Sequence, residues 1–143
     1  MIQRPNYLFI ICIIYFCTVF YIVFLLDYRL QEDFNGSANL IPFLKTYKFI
    51  FNYEHLNIYN KIRFLKEFIG NFLLLIPFCK ALEVVLQKKT TFKKKCLILF
   101  ITCFSIEFSQ YVFNLGIMEL DDIILNFVGG IFGNYLMMSR NKN

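Results

Sequence analysis

The chain is short of the residues that most soluble enzymes use for chemistry. It has one histidine, His55, so no histidine pair can be drawn for zinc. Its five cysteines, Cys12, Cys17, Cys79, Cys96 and Cys103, form no C-x-x-C pair and all lie in or beside apolar segments. They read as small hydrophobes, not as disulfide or metal partners. No glycine-rich phosphate loop follows a strand pattern, and no nucleophile–base pair is visible. Neither a cofactor nor a metal is expected. Internal repeats and low-complexity tracts are also missing. Charge is sparse at 17%, with no charged residue at all in 7–26.

What is present is apolar. The 143 residues are 58% hydrophobic and 20% aromatic, with a mean hydropathy of +0.55. A soluble domain is nearer half apolar and carries more charge. The excess falls in blocks, which points to a membrane protein of a single transmembrane domain, 1–143. Four apolar spans can be drawn, at about 7–26, 68–86, 96–113 and 123–138. The first would cover roughly 30 Å, the thickness of the hydrocarbon core. Arg4 precedes it, but the run is long for a signal peptide and no small-residue cleavage site follows, so an uncleaved anchor is expected. The later spans carry polar residues that neighbouring helices must satisfy.

Charge orients the chain. The link 87–95 holds Lys88, Lys89, Lys93, Lys94 and Lys95 and no acid, and the tail holds Arg140 and Lys142. The link 114–122 holds Glu119, Asp121 and Asp122 and no base. In the long link 27–67, six basic and five acidic residues nearly cancel. Both termini and the lysine-rich link are therefore expected in the cytoplasm. The net charge of +5 reads as this topology signal, with no nucleic-acid partner implied. The aromatic stretch 39–53 should lie in the outer interface. Asn35-Gly36-Ser37 reads as a turn, although it is formally a sequon. The expected fold is an all-α bundle of four transmembrane helices, with an interfacial helical segment between the first and second.

The polar residues share a depth. Asn71, Glu107, Gln110, Asp122 and Asn126 all come out in the outer third of the membrane; Glu107, for example, lies about 9 Å in from Phe113. Glu107 and Gln110 are spaced i, i+3, and Asp122 and Asn126 i, i+4, so each pair shares a helix face. Amides at such positions can simply clamp helices, at about 0.6 kcal/mol per hydrogen bond. A carboxyl group mid-helix costs more and must be paired, protonated or wetted, so Glu107 is the first candidate for a site. Gly129-x-x-x-Gly133, with Gly130, permits close helix approach and could serve a helix–helix oligomer. Lys80 and Glu83, at i, i+3 near the inner end, read as a local ion pair with snorkelling. Pro77 reads as a kink.

These residues resemble the VanZ-like family of small bacterial membrane proteins. The match runs through Asn39-Leu-Ile-Pro42-Phe43, Gly70-Asn71 with Pro77-Phe78, Glu107-x-x-Gln110, and Glu119-Leu-Asp121-Asp122 with Asn126, Gly129 and Gly130. The resemblance implies a helical cell-envelope protein associated with resistance to glycopeptide antibiotics, chiefly teicoplanin. Its marked positions would be Asn39, Pro42, Asn71, Glu107, Gln110, Asp122 and Asn126. Family members usually carry an arginine just before the acidic run; here 114–118 holds no base, leaving Arg63 or Lys66 to stand in. Three roles follow as expectations. The first is an accessory factor whose outer-leaflet pocket meets a lipid-linked cell-wall precursor or a glycopeptide. The second is an enzyme acting on lipid head groups, and the third an assembly partner in a larger membrane complex.

Overall fold

The computed structural model describes residues 6–26, 38–86 and 90–140. Arg4, the Asn35–Ser37 turn, Lys88, Lys89 and Lys142 lie outside the described residues. The chain is predominantly helical: α1 (Asn6–Tyr21) continued by a π turn (Ile22–Leu26), α2 (Leu44–Phe51), α3 (Ile58–Leu74), α4 (Phe78–Val85), α5 (Phe92–Val112) and α6 (Leu120–Arg140). Two short strands, β1 (Ala38–Asn39) and β2 (Met118–Glu119), pair in parallel, with Ala38 opposite Met118 and Asn39 opposite Glu119.

Among the described residues, three helices are long and apolar enough to cross a membrane: Tyr7–Phe24, Ile58–Val85 and Phe92–Val112. Large apolar side chains stay exposed around them, including Ile14, Phe20, Leu73, Leu97 and Ile101. In water these would form a prohibitive patch; a bilayer solvates them. The second of these spans begins earlier than its hydropathy alone suggests. It starts at Ile58 rather than near 68, because Asn57 caps the helix by accepting from the Asn60 backbone N–H at 2.8 Å. The part from Glu67 onward, at about 1.5 Å per residue, still matches the thickness of the hydrocarbon core.

Pro77 does more than kink. Residues 75–77 form a turn that separates α3 from α4, since proline offers no N–H to continue the ladder. The Leu74 carbonyl left over is taken by the Tyr15 hydroxyl from α1, at 3.0 Å. That bond meets the requirement that hydrocarbon imposes on every backbone polar group.

α6 is the central element. It packs against α3, α4 and α5, whereas α1 rests mainly on α4. The core below it joins Leu75, Phe78, Cys79, Leu99, Cys103 and Ile123. All five cysteines are free thiols, with Cys12, Cys79 and Cys103 buried. The glycine seam faces α3. A Cβ at Gly129 would overlap the Phe72 carbonyl, and one at Gly133 the Ile76 carbonyl. Only glycine lets the two backbones come this close. Gly130 instead faces the Leu99 side chain on α5. The close approach thus belongs mainly to α3 and its following turn, not to the helix that carries Glu107.

Candidate functional site

The acidic link ends in the first turn of α6, where Asp121 and Asp122 sit at the positive end of the helix dipole. β1 pairs with the strand just before this turn, which brings the Asn39–Phe43 segment over the end of α6. Residues 41–44 close a turn through the Leu44 N–H and the Ile41 carbonyl, 3.4 Å apart. Pro42 takes the second position and Phe43 the third, with φ 60° and ψ 12°, the form of a type II turn. A bulky side chain in the left-handed region is strained. The Phe43 N–H donates to Asp121 Oδ1, which holds the turn in place. α2 then starts beside the acids.

That placement delivers Lys45. Its Nζ lies 2.6 Å from Glu119 and 2.7 Å from Glu67 on α3, and Arg63 adds a second cation to Glu67 at 2.9 Å. Burial alone would lower the pKa of the Lys45 ammonium. The charge of Asp122 and the hydrogen bonds to Glu119 and Glu67 outweigh it and hold that pKa above the usual lysine value. Asn71, one turn below Glu67, bonds the Asp122 side chain. Glu107 is 3% exposed and accepts from the Glu119 backbone N–H at 3.4 Å, within reach of the charges of Asp122 and Lys45. Asn126 is 1% exposed. A small cavity opens between α2, α3 and α6, lined by Lys45, Thr46, Phe64, Phe68, Asp121, Asp122 and Leu125. Three buried side-chain oxygens find no hydrogen-bond partner among the described residues: Asp121 Oδ2 and Asn126 Oδ1 at this end, and Thr90 Oγ1 just before α5.

The residues singled out in sequence divide. Asn71, Glu107 and Asp122 come together at this end, with Asn126 one turn deeper in α6. Asn39 is near by backbone, but its side chain caps its own turn, accepting from the Ile41 N–H at 3.4 Å. Gln110 points elsewhere: its amide donates to the Val23 carbonyl in the π turn after α1, at 3.0 Å. The cation opposite the acids is Lys45. Arg63 pairs with Glu67 at 2.9 Å, and Lys66 is exposed. Lys45 and Glu67 carry no sequence signal of their own, and Glu119 and Asp121 enter the sequence reading only through the acidic run and the family-like motif, not as site residues. The nearest signal for Lys45 is a base in the same link as the family-like Asn39–Phe43 motif, and Lys48 shares it. The opposite end has its own polar group, where buried Lys95 lies 2.6 Å from Glu83 and 2.9 Å from Asn134 Oδ1. Lys95 is therefore a paired residue of α5, not a free cation of the lysine-rich link. Glu83 also meets Lys80, at 3.7 Å.

The family model described as VanZ/LLP1 matches residues 7–140, nearly the whole chain. The chain belongs to the VanZ/LLP1 family. It is also similar to Protein VanZ of Enterococcus faecium, with 30% identity over 134 residues, covering 91% of this chain and 73% of that protein. No solved structure matches it. The match to the VanZ/LLP1 family takes in both polar groups: the acidic cluster with Lys45, and the Lys95 pair.

Proposed function

We propose that this VanZ-like protein crosses the bacterial cytoplasmic membrane four times, with both termini inside, and lowers the access of glycopeptides such as teicoplanin to their target. α6 is the fourth crossing. The exposed apolar face of α2, with Tyr47, Ile50 and Phe51, lies in the outer interface. The polar cluster then sits just under the outer surface, on or near lipid-linked cell-wall intermediates. One observation carries this reading: Lys45, Glu67, Glu107, Glu119, Asp121 and Asp122 gather at one end of the helices, from segments far apart in sequence. Polar groups at membrane depth mark sites by default. Membership of the VanZ/LLP1 family supports the general role, and the lysine excess at the other end supports the orientation.

The test is teicoplanin susceptibility in a sensitive bacterium expressing the chain. The wild type raises tolerance, while Glu107→Gln and Asn126→Ala return it to the level of cells without the protein, at unchanged amounts in the membrane. Equal susceptibility with and without the wild-type protein refutes the role. Orientation is read separately in a cysteine-free background. Asn57→Cys reacts with an impermeant maleimide on intact cells and Thr91→Cys does not; the reverse pattern puts the cluster on the wrong side.

A further inference from the structure

We infer that the cavity between α2, α3 and α6 takes a primary ammonium group, carried by an amine-bearing lipid head group; this rests on the reading above only for the side of the membrane that the cavity faces. The first observation is a buried acceptor with nothing to accept. Asp121 is 4% exposed and lines the cavity; its Oδ1 is used by the Phe43 N–H, but its Oδ2 has no donor among the described residues. An unpaired buried carboxylate oxygen is costly, and a bound donor relieves that cost. The second is charge. Glu67, Glu107, Glu119, Asp121 and Asp122 are five carboxyl groups facing two cations, Lys45 and Arg63. Both cations are already engaged, so the excess is met by a cation from outside, and a phosphate in the cavity is repelled.

Size and surroundings select the cation. The cavity has room for about one water-sized group, which suits an ammonium and not a sugar ring. Among the described residues no three acidic, histidine or cysteine side chains converge to hold a metal ion. Phe64, Phe68 and Leu125 form apolar walls that suit the methylene next to the nitrogen. Leu40, Ile41 and Phe43 are exposed on the segment that the Phe43 N–H ties to Asp121 and that leads into the apolar, exposed face of α2. A ligand with its ammonium in the cavity can thus keep its acyl chains in the bilayer. An ammonium has three donors for Asp121 Oδ2 and its neighbours, whereas a quaternary ammonium has none and is too wide.

The test is native mass spectrometry of the detergent-solubilised full chain, titrated with phosphatidylethanolamine, phosphatidylcholine and phosphatidylglycerol. Loss of a charge-assisted hydrogen bond corresponds to roughly tenfold or more in affinity. Phosphatidylethanolamine should therefore bind about tenfold tighter than either other lipid, and Asp121→Asn should remove that preference without weakening phosphatidylcholine. Equal binding of the three lipids overturns the inference, as does a preference for phosphatidylglycerol or one untouched by both Asp121→Asn and Asp122→Asn. The wild-type preference needs no variant, so it decides even where a variant fails to fold. Free ethanolamine supplies the second arm. Free ethanolamine that binds as tightly as phosphatidylethanolamine, and loses that binding in Asp121→Asn, assigns the ammonium to a soluble amine and overturns the lipid source; ethanolamine that binds at least about tenfold weaker leaves the lipid. Absence of any preference while Glu107→Gln still abolishes tolerance defeats this inference alone. A preference without a tolerance phenotype defeats the proposed function alone.

Discussion

Replacing Lys45 with methionine removes the ammonium and keeps much of the stem's volume. Two carboxylates lose a partner, and they lose it unequally. Glu67 keeps Arg63 at 2.9 Å and is a third exposed at its side chain, so that loss is worth about 0.5–1 kcal/mol. Glu119 is 11% exposed at its side chain and is held by Lys45 at 2.6 Å. Stranding a buried carboxylate costs about 3–5 kcal/mol, and the partial wetting here reduces that to about 2–3 kcal/mol. The single substitution should therefore cost about 2.5–4 kcal/mol in total. Glu119→Gln in the Lys45→Met background removes the stranded charge and should recover at least about 1 kcal/mol, a coupling that a double-mutant cycle isolates. The assay is unfolding in mixed micelles by dodecyl sulfate titration, followed by helical circular dichroism. The raised pKa of Lys45 also fixes the sign with pH. Its stabilisation is complete below the unfolded lysine value of about 10.4 and fades only as pH climbs through the higher native value, so the cost should not vary between about pH 6 and 9 through Lys45. Additive single and double mutants, with coupling under about 0.5 kcal/mol, would refute the ion pair as the fastening of α2.

Two further outcomes can be read by the same unfolding titration. Gly133→Ala forces a methyl against the Ile76 carbonyl and should destabilise by about 1–3 kcal/mol, whereas Gly70→Ala, which meets nothing within 4 Å, should be neutral or stabilise by about 0.5–1 kcal/mol; equal effects at the two positions would mean that α6 does not touch the α3–α4 turn. Tyr15→Phe deletes the bond to the Leu74 carbonyl and should cost about 1–2 kcal/mol, with faster amide exchange in the 75–79 stretch as the independent sign that the break in α3–α4 has lost its support.

Much of the helical layout is written in hydropathy, because a bilayer penalises charge over a fixed length and the chain obeys that length. The gathering of Asn71, Glu107 and Asp122 at one end was legible for the same reason: residues at equal depth on packed helices end as neighbours. Lys45 was not legible. Its link read as an aromatic interfacial stretch, and nothing local distinguishes it from Lys48, Arg63 or Lys66. The choice is made by two long-range features, the β1–β2 pairing and the Pro42–Phe43 turn, which set α2 over the first turn of α6. Neither has a periodic signature, and a left-handed phenylalanine runs against local preference. Gln110 misled for a related reason. A shared helix face fixes direction only to within a wide arc, and the Val23 carbonyl, freed in the π turn after α1, lies within that arc.

The case for a site narrows once structural duties are subtracted. Glu119 and Glu67 are accounted for by Lys45, which ties α2 to β2 and α3. Gln110 is accounted for by a stray carbonyl, and Asn71 by Asp122. Acids in the first turn of α6 are favourable for the helix in any case. What no fold requirement explains at this end is the pair of acceptors left over, Asp121 Oδ2 and Asn126 Oδ1, in side chains at most 4% exposed. A bundle selected only for stability would carry leucine at 126, since an apolar residue of similar size leaves no orphan acceptor. Asn126→Leu therefore separates the two accounts. If Asn126 serves only the fold, the change is neutral or stabilising and tolerance to teicoplanin survives it. If Asn126 belongs to a site, stability holds or rises while tolerance is lost. A fall in stability of more than about 1 kcal/mol would refute both, because it would show that the Asn126 amide already has its partner within the protein.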